Sequence, residues 1–562
     1  MKRENLIEMK HKIIIIFLLV SCNLQFTTKC FSQNWEWSAV IQSSDYFQPV
    51  AFSIDKNKNS YIGSHFRNMI VPVNLPSNGY DDAFLAKYDA SGTLVWIKNF
   101  GSYNPYPTFP QNPTAYSEAV NVLHVDTTNN YLYASGSFYN TTQFGSFTLT
   151  SFTPNTNSYF ILKMDFDGNI LWAKRTNGYI SGMVTDAIGN LFFCGFSYDD
   201  TVILDSTATF APCGFVAKIN PDGNFLWGKN IFKKTSDSFE FIPRGIKAFN
   251  SGIIINGYTD NDTITIDTIV RYVPENTKWS ALTCLDFNGN AKWLSLYGGN
   301  TSISGYGFSI DSNGNFYTTG IFTGTGYFED DTLIAATSLQ NMYLAKHDSM
   351  GHFLWAKHAN TSNSNGICVS NIVDSTLYVT GWFKGTAYFN DSITAGTVQD
   401  MFVAKYNTNG VCFGANNFGK ASGVKVVQDN DNAAYCSGLS YSDITIGANS
   451  YTLYGNTDIF LAKLTGTTGI GEKNMLLPMG SLLTIYANPN TGKCDIAIPE
   501  EFRNEKNLIL KIYDLQGKEI QQAKIEMFEN KIKLNIEAEA KGVYNVILTN
   551  GKKNYSGKII FE

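Results

Sequence analysis

The sequence predicts an all-β protein, and three observations support this prediction. Charged residues make up only 16% of the 562 residues, aromatic residues make up 14%, and glycine occurs 47 times. Strands favour aromatic and β-branched side chains, whereas tight turns need glycine and asparagine. One strand pattern recurs along residues 34–466, and a more highly charged segment over 484–562 has a strand pattern of its own. Together they predict a seven-bladed β-propeller followed by a small Ig-like β-sandwich.

The first half of the repeated unit is an aromatic strand that contains one glycine and ends near a phenylalanine. Its first copy runs from Asn59 to Phe66. The glycines of the seven copies are Gly63, Gly136, Gly195, Gly257, Gly320, Gly381 and Gly438.

The second half reads Phe-Leu-Ala-Lys-x-Asp-x-x-Gly-x-x-x-Trp. Clear copies run over 84–96, 160–172, 215–227 and 343–355. A weaker copy over 281–293 has Cys284 at the lysine position, another over 402–410 has Gly414 at the tryptophan position, and the seventh stops after Lys463.

Each half alternates apolar and polar side chains, which is the period of a half-buried strand. The Asp-x-x-Gly joint is hairpin chemistry, because aspartate starts the turn and glycine supplies a positive φ. One unit therefore supplies about four strands, the size of a propeller blade. Stacked β-helix coils have much shorter repeats, and a helical solenoid is incompatible with the two-residue period.

The ends of this ring are also predicted. The seventh copy lacks its last strand, while Trp35–Val40 resembles the last strand of another copy, Leu354–Lys357. We therefore expect the strand at 34–40 to complete the seventh blade of a propeller over 33–466. Such closure removes an exposed sheet edge.

These units resemble the bacterial β-propeller repeats known for Asp-x-x-Gly-Asn-x-x-Trp hairpins, the SBBP-like repeats. The resemblance covers roughly residues 34–466 and implies an extracellular architecture rather than a chemistry.

The first 32 residues are predicted to be a signal peptide. Lys10 and Lys12 precede the apolar run at 13–20, which is too short to span a bilayer stably. Two fates of this leader stay open: cleavage before Gln33, or lipidation at Cys22 in a lipoprotein-like box. No other stretch reaches membrane-spanning length, so no transmembrane helix is expected in the mature chain.

A Thr/Gly-rich linker over 467–483 leads to a predicted sandwich domain over 484–562. Its distinctive residues are Asn488, Pro489, Gly492, Asp514, Gly517, Lys518, Gly542, Tyr544 and Lys558. This order of motifs resembles the C-terminal (type A) sorting domain of the type IX secretion system, with Ala487 where that family more often has proline. The resemblance implies a Bacteroidetes-like source, export to the periplasm, and passage through the type IX translocon to the cell surface or the medium. Whether the domain is then removed stays open.

Several kinds of chemistry are not expected. The net charge of −6 disfavours nucleic acid as a partner. Aspartates in segments such as 165–169 are interpreted as turn formers rather than calcium ligands, because no distal glutamate follows at the required spacing. The six histidines are interpreted as surface residues and the cysteines as scattered buried thiols, with one incidental disulfide left open. We therefore predict no catalytic, cofactor-binding or metal-binding residues.

The sequence thus predicts a secreted or cell-surface binding or structural protein rather than an enzyme, whose ligand is an unknown surface protein or glycan. Variable loops on one face are expected to carry specificity, and the insertion at 103–110 is the most distinctive of them. The alternative is an extracellular polysaccharide hydrolase, which would need two carboxylates converging on the propeller axis.

Overall fold

A computed structural model describes residues 33–43, 50–71, 73–102, 118–154, 156–197, 201–205, 208–210, 214–231, 241–249, 252–259, 263–273, 278–299, 302–328, 331–335, 339–361, 363–389, 392–396, 399–466, 483, 485–487, 490–503, 505, 507–513, 519–525, 531–550 and 554–561. The predicted signal peptide, nearly all of the linker and the insertion at 103–110 lie outside these residues. Two compact units are present, one ending at Gly466 and the other beginning at Thr467.

Within the described residues, the first unit contains seven four-stranded antiparallel groups, here called blades 1 to 7. Their first strands are β2 (Ala51–Ile54), β6 (Ala119–Asp126), β12 (Tyr179–Thr185), β18 (Ile242–Phe249), β24 (Ser302–Ile310), β30 (Asn363–Val369) and β36 (Ala421–Gln428). The second strands are β3 (Ser60–Val71), β7 (Tyr131–Tyr139), β13 (Leu191–Phe196), β19 (Gly252–Thr259), β25 (Phe316–Thr323), β31 (Thr376–Lys384) and β37 (Ala434–Ser440).

The third strands carry the Phe-Leu-Ala-Lys pattern, and the fourth strands carry the repeated tryptophan. The third strands are β4 (Leu75–Tyr88), β10 (Asn157–Met164), β16 (Gly214–Ile219), β22 (Trp279–Asp286), β28 (Asn341–His347), β34 (Asp400–Asn407) and β40 (Asp458–Gly466). The fourth strands are β5 (Leu94–Phe100), β11 (Ile170–Thr176), β17 (Phe225–Asn230), β23 (Ala291–Gly299), β29 (Phe353–His358), β35 (Cys412–Gly419) and, in blade 7, β1 (Gln33–Ser43).

The first strands surround an axis. Each contacts the first strand of the next blade, and β36 contacts β2, so the ring is closed. Seven buried clusters lie between neighbouring blades, one of them between blades 7 and 1. The all-β, propeller-like fold predicted from the sequence is confirmed.

Blade 7 takes its fourth strand from the other end of the unit. Strand β1 pairs antiparallel with β40 from Gln33 opposite Gly466 to Ile41 opposite Ile459. The end of β1 also pairs with β3 of blade 1, where Ser43 lies opposite Ile70. The backbone ladder therefore joins the last blade to the first.

The ring has two different faces. The turns between strands 1 and 2 and between strands 3 and 4 lie at one end, the turn face. The connections between strands 2 and 3 lie at the other end, the loop face. In six blades this connection contains a small accessory hairpin: β8 (Thr141–Phe144) with β9 (Phe147–Thr150), β14 (Val202–Leu204) with β15 (Ala208–Phe210), β20 (Thr263–Ile266) with β21 (Ile269–Tyr272), β26 (Thr325–Phe328) with β27 (Asp331–Ile334), β32 (Thr386–Tyr388) with β33 (Ser392–Thr394), and β38 (Ile444–Ile446) with β39 (Asn449–Tyr451).

The second unit is a small two-sheet fold. Its strands are β41 (Ile485–Tyr486), β42 (Lys493–Ala497), β43 (Leu508–Tyr513), β44 (Glu519–Ile525), β45 (Lys531–Asn535), β46 (Gly542–Thr549) and β47 (Asn554–Phe561), with a 3-10 helix at Glu500–Phe502. One sheet has the order β41-β42-β45 and the other β44-β43-β46-β47. Alternate side chains, such as Leu508, Leu510 and Ile512, are buried in one shared core, as a sandwich requires.

Candidate binding surface

The repeated lysine and tryptophan hold neighbouring blades together. The Lys163 ammonium and the Trp172 indole of blade 2 both donate hydrogen bonds to the carbonyl oxygen of Pro221, over 2.9 and 3.0 Å. Pro221 lies in the turn between strands 3 and 4 of blade 3. These residues are therefore scaffold.

The same contact recurs at other blade boundaries. Its further donors and acceptors are Lys87 and Trp96 to Phe166 (2.9 and 3.3 Å), Lys346 to Thr408 (2.9 Å), Trp227 to Phe287 (3.0 Å) and Trp37 to Ala90 (3.0 Å). Trp37 stands opposite Lys463 in the β1–β40 ladder, as Trp172 stands opposite Lys163. The joint between the two ends of the unit thus uses the same contact as the other boundaries.

The turn aspartates are occupied by their own turns. The Asp165 carboxylate accepts hydrogen bonds from the backbone N–H groups of Asp167 and Asn169 and from the Asn169 amide, over 2.8 to 3.0 Å. Gly168 of this turn has φ +80°, which favours glycine. The geometry is the one predicted for turn formation. In the part of the chain that the structure describes, no group of three or more His, Cys, Asp or Glu side chains is arranged to hold a metal ion.

Carboxylates near the axis also accept hydrogen bonds from their own turns. Among the described residues of the seven first strands, Asp126 is the only carboxylate. It accepts hydrogen bonds from the N–H groups of Thr128 and Asn129 and from the Asn129 amide, over 2.9 to 3.1 Å. The aspartates that directly follow other first strands behave alike; Asp311, for example, also accepts from the Tyr317 hydroxyl at 3.0 Å.

Six first strands carry a β-bulge at an equivalent position near the loop face. The bulged residues are Asn121, Ser181, Arg244, Tyr306, Ile367 and Val424. Bulges occur preferentially beside functional sites because they redirect a side chain. Unlike the repeated lysine and tryptophan, these residues differ from blade to blade, so they provide chemistry that the scaffold does not require.

A cluster of cations and tyrosines surrounds two of these bulges, between blades 4 and 5. The Arg244 guanidinium donates to the Tyr258 hydroxyl at 3.0 Å and lies 5.1 Å from the Tyr258 ring and 5.9 Å from the Tyr306 ring. The Lys278 ammonium lies 5.6 Å from the Tyr258 ring. Arg244 and Lys278 are exposed, and the two tyrosines are half-buried. We call these four residues the Arg244 cluster.

Electrostatics couple the members of this cluster. Burial raises the pKa of the Tyr306 phenol, and the neighbouring Arg244 charge opposes that rise. The phenol therefore stays neutral at physiological pH and keeps its hydrogen-bonding capacity.

Two further aromatic groups lie at the loop-face ends of strands. Near the boundary of blades 2 and 3, the Tyr179 ring lies 5.6 Å from Tyr159 and 5.1 Å from Phe196. In blade 6, the Lys384 ammonium lies 6.0 Å from the Trp382 ring. Phe196, Tyr258 and Trp382 each directly follow the repeated glycine of their blade. Aligning the copies on that glycine would have revealed these positions from the sequence.

Basic groups also approach the axis itself. Part of the Lys247 side chain, in blade 4, is exposed. Desolvation of its ammonium group by the surrounding protein lowers its pKa, and the positive charge of Lys425 in blade 7 lowers it further. Cys368 of blade 6 acts in the opposite direction. Burial lowers the pKa of His124 to about 4, and its Nε2 accepts from the Thr185 N–H at 3.1 Å. In the described residues, Lys247 and Lys425 are thus the charged basic groups of this region, and His124 is neutral at physiological pH.

The interpretation of the histidines as surface residues is wrong for most of them. His65 and His347 are buried, with 7% and 1% of their surface exposed, and His124 and His358 are half-buried. Only His352 of the five described histidines is exposed. His347 packs against the rings of Tyr297 and Phe353, 5.0 and 5.9 Å away, in the blade 4–5 core. His11 lies outside the described residues.

The cysteines behave as predicted where they are described. Cys194, Cys284, Cys368, Cys412, Cys436 and Cys494 are free thiols. Burial raises the pKa of Cys284 to about 11 and that of Cys194 to about 12, which keeps both protonated. Cys213 falls outside the described residues.

The predicted sorting residues are only partly described. Asn488, Pro489, Asp514, Gly517 and Lys518 fall outside the described residues, and Lys558 pairs through its backbone with Asn545.

Three motif residues of this unit are described in full. Gly492 has φ +96°, and an added Cβ would lie 2.7 Å from Cγ of Glu537. Tyr544 is buried and donates from its hydroxyl to the Ala540 carbonyl, whereas a Cβ on Gly542 would meet no atom within 4 Å. Gly492 and Tyr544 therefore have a role in folding, and Gly542 has none that sterics require.

Comparison with known families identifies the second unit. Residues 484–562 match the family described as the secretion system C-terminal sorting domain. This domain implies export by the type IX secretion system to the cell surface or outside, as the sequence predicted. None of the helices in the described residues is long and apolar enough to cross a membrane.

The first unit resembles other proteins only distantly. An uncharacterised WD repeat-containing protein of Acanthamoeba polyphaga mimivirus is 22% identical over 420 residues, which covers 66% of this chain and 27% of that protein. The chain thus spans about a quarter of the length of this relative.

Solved structures with a related shape are similarly remote. A Synechocystis apocarotenoid oxygenase is 10% identical with a TM-score of 0.34, covering 75% of this chain and 94% of the other. A member of the duf4221 family from Bacteroides vulgatus is 11% identical with a TM-score of 0.28, covering 77% and 99%. At these TM-scores the likenesses carry no argument about ligand or activity.

Proposed function

We propose that this protein is a non-catalytic binding protein, carried to the cell surface or outside by its sorting domain, which binds its ligand on the loop face around the propeller axis. The ring is the rigid support in this proposal. Loops and bulges on a rigid support are where binding residues usually lie.

One observation carries the proposal. At equivalent bulge positions the blades present six different side chains, including Arg244 and Tyr306, whereas the lysine and tryptophan positions recur with one structural contact. The fold fixes the lysine and tryptophan through this contact, whereas it leaves the bulged side chains free to serve binding. The divergent positions lie together near the loop face, where solvent reaches them.

The polysaccharide hydrolase is the second candidate. It needs a general acid and a nucleophile or base, which are two carboxyl groups within about 5–10 Å of each other. The carboxylate of the described first strands, Asp126, instead accepts hydrogen bonds from its own turn. Lys247, a first-strand residue near the axis, can pair with an anionic ligand but supplies no carboxyl group for hydrolysis.

The experiment uses the purified full chain on an array of extracellular glycans and surface proteins, together with an assay for released reducing ends. We expect saturable binding of at least one ligand without product release. Hydrogen exchange of the complex should then show protection at the loop-face ends of the first strands. Release of reducing ends, or protection confined to the turn face, would overturn the proposal.

A further inference from the structure

The Arg244 cluster has the composition of a site for one class of ligand. We propose that Arg244, Lys278, Tyr258 and Tyr306 form a subsite for an acidic sugar residue, a uronate of an extracellular polysaccharide. This inference rests on the proposed binding function and adds to it the chemical class of the ligand.

The cations of the cluster are available to an anion. Neither Arg244 nor Lys278 forms an ion pair with another described residue. One Nη2 donor of Arg244 is taken by the Tyr258 hydroxyl, which fixes the guanidinium and leaves further donors for a ligand. A planar carboxylate matches such a fork with two parallel hydrogen bonds.

The tyrosines define the rest of the ligand. The Tyr258 and Tyr306 rings lie beside the same guanidinium and are half-buried, so their orientation is fixed by packing. A pyranose ring presents C–H groups on one face, and these pack on the negative face of an aromatic ring. A carboxylate attached to a sugar ring therefore uses both parts of the cluster, whereas a simple anion uses only the cations.

The equivalent positions of two other blades suit a polymer rather than a single sugar. Phe196 and Trp382 occupy the position of Tyr258 in blades 3 and 6, and Lys384 lies over Trp382. Aromatic residues thus recur along the loop face, with a cation beside two of them. An acidic peptide would satisfy Arg244 and Lys278 but would leave these rings without a matching partner.

The test measures binding of the full chain to oligogalacturonate by calorimetry. The methyl-esterified oligomer is the matched ligand, because it keeps the sugar rings and lacks the charge. We expect the free acid to bind at least about tenfold more tightly, since a hydrogen-bonded charge is lost on esterification. The affinity should also fall as salt is raised.

Two variants locate the site. Arg244→Ala should weaken binding of the free acid at least about tenfold, and Arg244→Lys should weaken it less, because the charge remains but the fork is lost. Lys56→Ala removes one exposed charge from the turn face and should leave the affinity unchanged. The melting temperature of each variant checks that the fold is intact.

Three results would overturn the inference: equal affinity for the acid and its ester, equal losses in Arg244→Ala and Lys56→Ala, or tighter binding of polyglutamate than of oligogalacturonate. If the chain binds another ligand on the array but no uronate, this inference fails and the proposed binding function stands. If the chain cleaves the oligomer, the proposed function fails as well.

Discussion

Trp37 offers a direct test of how the ring is held together. Its indole donates to the Ala90 carbonyl of blade 1, and its ring lies 6.0 Å from Tyr435 of blade 7. Trp37→Ala removes this contact from the boundary between blades 7 and 1. The equivalent contact of Trp172, between blades 2 and 3, stays in place. In Trp37→Phe, the ring packing is largely kept and only the hydrogen bond is lost.

The size of the effect follows from burial. A tryptophan buries roughly 200 Å² when fully enclosed, and Trp37 is half-buried, so the alanine variant exposes about 100 Å² and loses about 2.5 kcal/mol. The hydrogen bond adds about 1 kcal/mol. We expect a total of about 3.5 kcal/mol for Trp37→Ala and about 1 kcal/mol for Trp37→Phe. For a ring of this size, about 3.5 kcal/mol lowers the melting temperature by about 4 °C.

The assay is equilibrium unfolding in guanidinium chloride, followed by circular dichroism so that the loss of an indole does not alter the signal. Val95→Ala is the matched control, because Val95 is an exposed apolar residue of a fourth strand, with 53% of its surface accessible. Its stability should change by less than about 0.5 kcal/mol. If Trp37→Ala is as stable as Val95→Ala, the closure described above does not stabilise the ring.

Three further predictions concern other parts of the molecule. Lys163→Met should lose about 2 kcal/mol, because the Pro221 carbonyl loses a charged donor, and the loss is measured by the same unfolding assay. Gly492→Ala should destabilise the sorting domain by about 1–3 kcal/mol through its positive φ and the contact with Glu537, whereas Gly542→Ala should be tolerated; the midpoints of both variants check this. Burial lowers the pKa of His347 from 6.5 to about 4, so its contribution to stability is present above pH 6.5 and is lost as the pH falls towards 4. Between pH 6.5 and pH 4, the free energy of unfolding should therefore fall by up to about 3 kcal/mol less in His347→Phe than in the wild type. Unfolding measured at a series of pH values checks this.

Each of these has a control and a refuting result. Lys56→Met removes an exposed lysine, and an equal loss in both lysine variants would show that the contact with Pro221 contributes nothing. Equal midpoints for the two glycine variants would contradict the steric argument. A His347→Phe variant with the pH dependence of the wild type would refute the role of His347.

The strands and turns of the blades were predictable because their determinants are local. Alternation fixes which side chains are buried, and the Asp-x-x-Gly turn carries its own hydrogen bonds, as Asp165 and Gly168 show. The repeats also allow the copies to be compared with one another. A position that holds tryptophan in several copies is expected to have a structural role in each blade.

The missing tryptophan of blade 6 shows what sequence alone left unexplained. At the previous boundary, Trp355 packs beside Gly410 in the turn of the next blade; a Cβ there would lie 3.2 Å from the indole. Blade 7 has no such covalent turn, because β1 supplies its last strand. A tryptophan at the position of Gly414, opposite Lys405, would therefore have no turn of the next blade to pack against.

Other features escaped prediction for physical reasons. The accessory hairpins have strands as short as Val202–Leu204, too short for a two-residue period to be recognised. A bulge such as that at Arg244 depends on the register between two strands, which neither strand encodes alone. The contact between Arg244 and Tyr306 joins different blades and requires the ring, so the residues of the candidate site were not grouped by the sequence.

The pairing of Gln33 with Gly466 has a consequence for how the molecule is tethered. The polypeptide enters and leaves the ring at one spot on the turn face, because the first residue of β1 lies opposite the last residue of β40. A segment fused to either side of residues 33–466 is thus attached at the turn face, and neither end of this unit lies at the loop face. A reporter or immobilisation tag can be placed at this spot without obstructing access to the cations and tyrosines on the far side.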